Sequence, residues 1–241
     1  MSRKVIGILG GMGPEATLAC FAMIIQNTPA TRDQDHLRVI IYSNPEVPDR
    51  TAAITGKGES PVPMLVQGCR TLAQAGADFI IIPCVSAHYF LEELQEQTTL
   101  PILSIFDMVA EAIATQHPGV KKVGLLATSG TIQGRAFQKR LSESDIETIT
   151  CEAADQNLVM QAIYDLKKSS PQRSRPAIRA DLIEVVGRLI RRGAAGIVAG
   201  CTEIPLALSQ EHLQVPYFDS LGLLARAAIR QAGIEPLSDS C

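Results

Sequence analysis

The chain repeats itself. Val5-Ile6-Gly7-Ile8-Leu9 is echoed by Lys122-Val123-Gly124-Leu125-Leu126. Ala77-Asp78-Phe79-Ile80-Ile81-Ile82-Pro83-Cys84 is echoed by Ala194-Ala195-Gly196-Ile197-Val198-Ala199-Gly200-Cys201. Gly7 and Gly124 lie 117 positions apart, and so do Cys84 and Cys201. Leu100-Pro101-Ile102 has a counterpart in Val215-Pro216-Tyr217, 115 positions on. Two separate motifs at one spacing mark a duplicated unit of about 100 residues, and that restricts the fold to two related halves.

The repeated segments are short Val/Ile/Leu runs at 4–9, 37–42, 79–82, 123–126 and 197–199, with weaker ones at 102–105, 148–151 and 217–218. They are continuously apolar rather than alternating, as strands buried on both faces of a parallel sheet are. Amphipathic stretches at 61–75, 106–116, 177–192 and 221–231 lie between or beyond them. Strand and helix in alternation predict an α/β fold of two related parallel-sheet halves. The last helix follows the second copy of the Leu-Pro-Ile segment, so it is expected to return to the first half. The expected division is 1–104 with 208–241, and 105–207.

Composition narrows the function. The 241 residues are 46% hydrophobic and 20% charged, without low-complexity tracts, which suits a packed core. With 22 basic against 25 acidic side chains the net charge is −3, which argues against nucleic acid as a partner. No apolar run approaches the roughly 18 residues of a membrane span. The chain enters a strand pattern within its first residues, so no secretory signal is expected. Six cysteines without a CxxC pair suit a reducing compartment, and a cytoplasmic location is expected. Absent Trp and only 4% aromatics disfavour a stacking platform for sugars or single strands.

Cys84 and Cys201 each follow a buried strand, at the end where open α/β sheets place their ligand crevices. A lone Cys in apolar surroundings is most simply a small hydrophobe. Two at equivalent repeat positions, each opening a hydroxyl-bearing loop, point instead to a pair of thiols facing one cleft. Such a pair suits removal of a proton from one face of a carbon and delivery to the other. Cys20, Cys69, Cys151 and Cys241 are expected to be structural. Cys84 and His88 lack further ligands at zinc spacing, so no metal is expected.

Gly10-Gly11-Met12-Gly13-Pro14-Glu15-Ala16 joins a strand to a helix and contains GxGxxA. A dinucleotide site needs an acidic residue ending the second strand, but that strand ends Tyr42-Ser43-Asn44. A loop meeting a small anion fits better. Ala127-Thr128-Ser129-Gly130-Thr131 is its hydroxyl-rich counterpart. Among the cations, Arg50 follows a strand end on the expected cleft side, where guanidinium suits bidentate binding of a carboxylate.

The segments Ile8-Leu9-Gly10-Gly11-Met12-Gly13-Pro14-Glu15-Ala16-Thr17 and Pro48-Asp49-Arg50-Thr51, with the two Cys loops, resemble the cofactor-independent aspartate/glutamate racemase family along essentially the whole chain. Gly200-Cys201-Thr202-Glu203 is similar to its aspartate branch. The resemblance implies two Rossmann-like parallel-sheet domains related by pseudo-twofold symmetry, a site between them, a homodimer, aspartate as substrate and no cofactor. It implies Cys84 and Cys201 as the acid/base pair, Cys84 serving the D- and Cys201 the L-enantiomer. Arg50 would hold the side-chain carboxylate and Lys167 would come from a segment closing over the cleft. Thr128, Thr131 and Thr202 would contact the α-groups, with Met12, Val85, Ser86 and Glu203 completing the substrate-binding set. The sequence departs from the family's Asn-Thr-Ala-His after the first Cys, reading Val85-Ser86-Ala87-His88 and so losing an amide. A related isomerase or decarboxylase, or a non-catalytic small-carboxylate binder, are the alternatives left open.

Overall fold

The computed structural model describes residues 3–170 and 172–238. Cys241 lies outside the described residues. Among the described residues seven strands form, all in parallel pairs: β1 (Ile6–Gly10), β2 (Val39–Ser43), β3 (Phe79–Ile81), β4 (Lys122–Ala127), β5 (Glu147–Thr150), β6 (Gly196–Gly200) and β7 (Tyr217–Asp219). The helices are α1 (Pro14–Asn27), α2 (Arg50–Ile54), α3 (Val62–Gln74), α4 (Leu91–Gln97), α5 (Ile105–Gln116), α6 (Ser129–Gly134), α7 (Ala136–Ser142), α8 (Ala153–Leu166), α9 (Arg175–Arg191) and α10 (Ser220–Gln231). One sheet has the order β2-β1-β3, the other β5-β4-β6-β7. The repeat read from sequence is thus a repeat of topology. β1 and β4 are the paired central strands, and β3 and β6 lead into the two Cys loops.

The strands alternate between two buried faces. Ile6, Ile8, Phe79 and Ile81 face a central cluster that also takes Val123, Leu125 and Val198 from the second sheet, with α1, α5 and α10 between. Ile80 and Ile82 face outward beneath α3, while Leu126, Ile197 and Ala199 face α8 and α9. The two sheets therefore share one core layer.

Two sequence expectations are corrected. The weak strand at 102–105 reduces to a single parallel bridge between Ile102 and Ile80. Pro101 has no N–H to give, and Ser104 already caps α5 by accepting from the Asp107 N–H. The boundary at 208 is also displaced, because β7 pairs with β6 and extends the second sheet. The return to the first half begins with α10, which packs on α1 and α5.

Asp219 caps α10, its carboxylate accepting from the Leu221 and Gly222 N–H groups. Burial pushes its pKa from 3.8 up to about 6, despite those two bonds. The folded chain then binds this proton more tightly than the unfolded chain. Stability falls as pH rises from about 4 to about 6 and is level above that. Asp219→Asn keeps an accepting oxygen without the charge. It is expected to match wild type near pH 4 and to gain roughly 2–3 kcal/mol above pH 6. Urea unfolding at pH 4 and pH 7 checks this, an equal effect at both pH values being the contrary result.

Candidate active site

Cys84 leaves β3 through Ile82 and Pro83, and Cys201 leaves β6 directly. Their loops meet: the Thr202 hydroxyl donates to the Pro83 carbonyl at 3.2 Å. Both thiols line one narrow cleft with about 20 Å³ of open space, together with Arg50, Val85, Ser86, Thr128, Lys167, Thr202 and Glu203. This is far below the roughly 300–1,000 Å³ typical of ligand sites, so the cleft is closed. The two cysteines are buried to similar extents, 4% and 5% exposed.

The thiols differ in what they touch. Cys201 Sγ donates to Glu203 Oε2 at 2.9 Å, whereas Cys84 Sγ lies 3.5 Å from the Ser86 hydroxyl. Burial and then the Glu203 carboxylate push the Cys201 thiol well above 9.0, against the pull of Lys167. His88 is buried, and desolvation lowers its pKa. A neutral ring with its proton on Nδ1 donates to the Cys84 carbonyl at 2.9 Å and fixes the first loop from behind.

Arg50 begins α2, whose N-cap Asp49 accepts from the Ala52 N–H at 2.6 Å. Its Nη1 donates to the Val47 and Pro48 carbonyls and its Nη2 to that of Met12. Three of five guanidinium donors are thereby used. Nε is buried without a partner among the described residues. Nε–H and one Nη2–H share an edge of the guanidinium plane, the geometry that pairs with a carboxylate.

Lys167 caps the end of α8. Its ammonium reaches Glu203 Oε1 at 3.0 Å and the Met12 carbonyl at 3.3 Å. Burial works to lower its pKa, but Glu203 and both thiols outweigh burial and the net shift is upward. The lysine is a fixed cation between the two sulfurs and the carboxylate. Arg175 of α9 pairs with Glu15 of α1, an exposed contact worth about 0–1 kcal/mol.

The structure does not bring every expected residue to the cavity. The Met12 side chain is buried in the cluster beneath α3, and only its carbonyl turns toward Arg50 and Lys167. Thr131 sits behind Thr128, their hydroxyls 3.0 Å apart, and the Thr128 oxygen caps α6 by accepting from the Thr131 N–H. Glu203 is already engaged by Cys201, Lys167 and the Gly13 N–H. Val85 packs into the central cluster with its side chain at the cavity edge. Asp49, Thr51, Ile163 and Tyr164 line the cleft and were not singled out from sequence. The Pro48-Asp49-Arg50-Thr51 motif was the only signal for the first two, and nothing local marked the others. Cys20 and Cys69 are buried in the core, with pKa values raised to about 12 and about 11, chiefly by burial.

Comparison with known proteins finds relatives along most of the chain. The solved structure of Picrophilus torridus aspartate racemase matches with a TM-score of 0.86 and 31% identity, covering 97% of this chain and 96% of that one. A structure described as a putative Asp/Glu racemase from Yersinia pestis matches with a TM-score of 0.77 and 29% identity, over 95% and 99% of the two chains. In sequence, the broad specificity amino-acid racemase RacX of Bacillus subtilis (strain 168) is 29% identical over 231 residues, 93% of this chain and 96% of the relative. Among the described residues no helix is long and apolar enough to cross a membrane. The model of the Asp/Glu/hydantoin racemase family matches residues 9–228, taking in both Cys loops, Arg50 and Lys167, and the chain belongs to that family.

Proposed function

We propose that this amino-acid racemase interconverts L- and D-aspartate by proton transfer between Cys84 and Cys201, without a cofactor. The observation that carries the reading is the pair of thiols, one from each half, lining a single small cleft beside a guanidinium whose Nε has no partner among the described residues. One cysteine, as thiolate, takes the α-proton. The other, as thiol, delivers a proton to the opposite face.

The α-proton of an amino acid is far less acidic than a thiol, so the thiolate alone is insufficient. The developing carbanion is stabilised by the Lys167 ammonium and by donors fixed in a closed, dry cleft. Arg50 would hold the side-chain carboxylate on its free Nε/Nη2 edge. Because three backbone carbonyls anchor its other donors, the fork cannot follow a longer side chain. This favours aspartate over glutamate, as does the likeness to the Picrophilus torridus aspartate racemase.

Chiral chromatography of aspartate, glutamate and other amino acids incubated with the protein tests the reading. Racemisation of aspartate with kcat/KM at least tenfold above glutamate is the expected result. Comparable values across many amino acids would instead give this chain the breadth of its RacX relative, and no turnover would leave it a binder. Arg50→Lys removes the fork but keeps the charge. It is expected to lower kcat/KM for aspartate by about a hundredfold, since misplacement by 1 Å costs that much.

A further inference from the structure

The pseudo-repeat places Ser86 and Glu203 at equivalent positions, each two residues after its cysteine. One sulfur therefore has a neutral hydroxyl at 3.5 Å and the other a carboxylate oxygen at 2.9 Å. A two-thiol mechanism needs one thiolate and one thiol at the start of each turnover. Symmetric surroundings would leave that choice open. These surroundings do not.

We infer that Glu203 holds the proton on Cys201, so that the free enzyme rests with Cys201 as the acid and Cys84 as the base; this rests on the two-thiol reading above. Glu203 is 2% exposed, so water does not compete for the bond. Its other oxygen is engaged by Lys167 and the Gly13 N–H, which leaves Oε2 turned to the sulfur. A hydroxyl such as that of Ser86 can donate to a thiolate, whereas a carboxylate accepts from a thiol and repels a thiolate. The charged and titratable groups facing the pair are Lys167 from the end of α8, Cys84 from the opposite loop, and Asp49, Arg50 and Tyr164 around the cleft.

The proton balance follows. The Cα–H bond breaks, its proton forms an S–H bond on Cys84, and the electron pair stays on the substrate. The Cys201 S–H bond then breaks and its proton bonds to the opposite face of Cα. Cys201 is left as a thiolate beside the Glu203 carboxylate, with Lys167 as the counter-charge. That form is the less stable of the two. It reverts when Cys201 regains a proton from water and Cys84 gives one up, or by converting the opposite enantiomer. The equilibrium constant for racemisation is one, so kcat/KM stays equal in the two directions while kcat and KM differ between them.

The test is pulsed alkylation of the free protein with iodoacetamide from pH 6 to 10, each cysteine read separately by peptide mass spectrometry. In wild type, Cys201 is expected to react at least about tenfold more slowly than Cys84 at pH 8. Glu203→Gln is expected to lower the pH midpoint of Cys201 by one unit or more, about tenfold in rate, with Cys84 unmoved. Glu203→Asp, which keeps the charge, should retain the wild-type order. Equal reactivity of the two thiols in wild type, or an unchanged Cys201 profile in Glu203→Gln, overturns the inference. Circular dichroism identifies a variant that does not fold, and the wild-type profiles then decide alone. Racemisation with equally reactive thiols would sink only the role of Glu203. The expected alkylation pattern without turnover of any amino acid would sink only the racemase reading.

Discussion

Cys84→Ser and Cys201→Ser are each expected to abolish racemisation. Either change swaps sulfur for oxygen at a position 4–5% exposed, so the packing is almost unaltered and the loss is chemical. A serine hydroxyl in these surroundings is far too weak an acid to supply either the base or the proton. The expected loss is at least about a thousandfold in kcat, within the hundredfold to ten-thousandfold contribution typical of one acid/base group. Each single variant keeps one thiol and is expected to exchange the α-proton of one enantiomer with solvent. Opposite enantiomer preferences in the two variants would assign each sulfur to its face. In D₂O, wild-type product formed early should carry deuterium at Cα while unreacted substrate keeps hydrogen. Chiral chromatography with mass detection reads all of this. Racemisation near the wild-type rate by either serine variant would refute the two-thiol mechanism.

The second large effect is expected far from any proton. Gly130 in α6 packs directly against Thr51 of α2, and an added Cβ would lie 2.7 Å from Thr51 Cα and 2.9 Å from its hydroxyl. That neighbour is backbone, so the helices must separate. Gly134 repeats the arrangement one turn on, against the Tyr89 ring at 2.7 Å and Ile54 at 3.1 Å. Arg50 is the first residue of α2, so separating α2 from α6 displaces the guanidinium. Gly130→Ala is expected to lower kcat/KM by about a hundredfold, the cost of a displacement near 1 Å. Stability should change far less, because the site can relax by opening the cleft rather than by disrupting the core. Kinetics alongside a thermal melt measure both. Unaltered kcat/KM would show that contact between α2 and α6 does not set the position of Arg50.

The same contrast between local and distant determinants runs through the molecule. The strands were legible because their signal is local: apolar runs such as Phe79-Ile80-Ile81 are buried on both faces, and no other element needs that pattern. The two-half architecture was legible because the repeat preserves spacing between strands. Cys84 and Cys201 could be singled out because strand ends in such sheets point at crevices. The edge of the second sheet was not legible. Tyr217-Phe218-Asp219 is too short a run to declare its partner, and only the pairing with β6 assigns it. Residues that act through distant partners were equally hidden. Met12 carries a hydrophobic side chain whose place is the core, yet its carbonyl takes donors from Arg50 and from Lys167, 155 positions away. Glu203 reads from sequence as a group for substrate, but the fold brings it Lys167 and the Gly13 N–H, 190 positions away, and turns its other oxygen to Cys201. Sequence by itself determined the strands, the duplication and the two sulfurs, since apolar periodicity and spacing are properties of neighbouring residues. Only the tertiary structure decided which donors of Arg50 are taken and which sulfur meets a carboxylate, because those depend on atoms that meet only when the chain has folded.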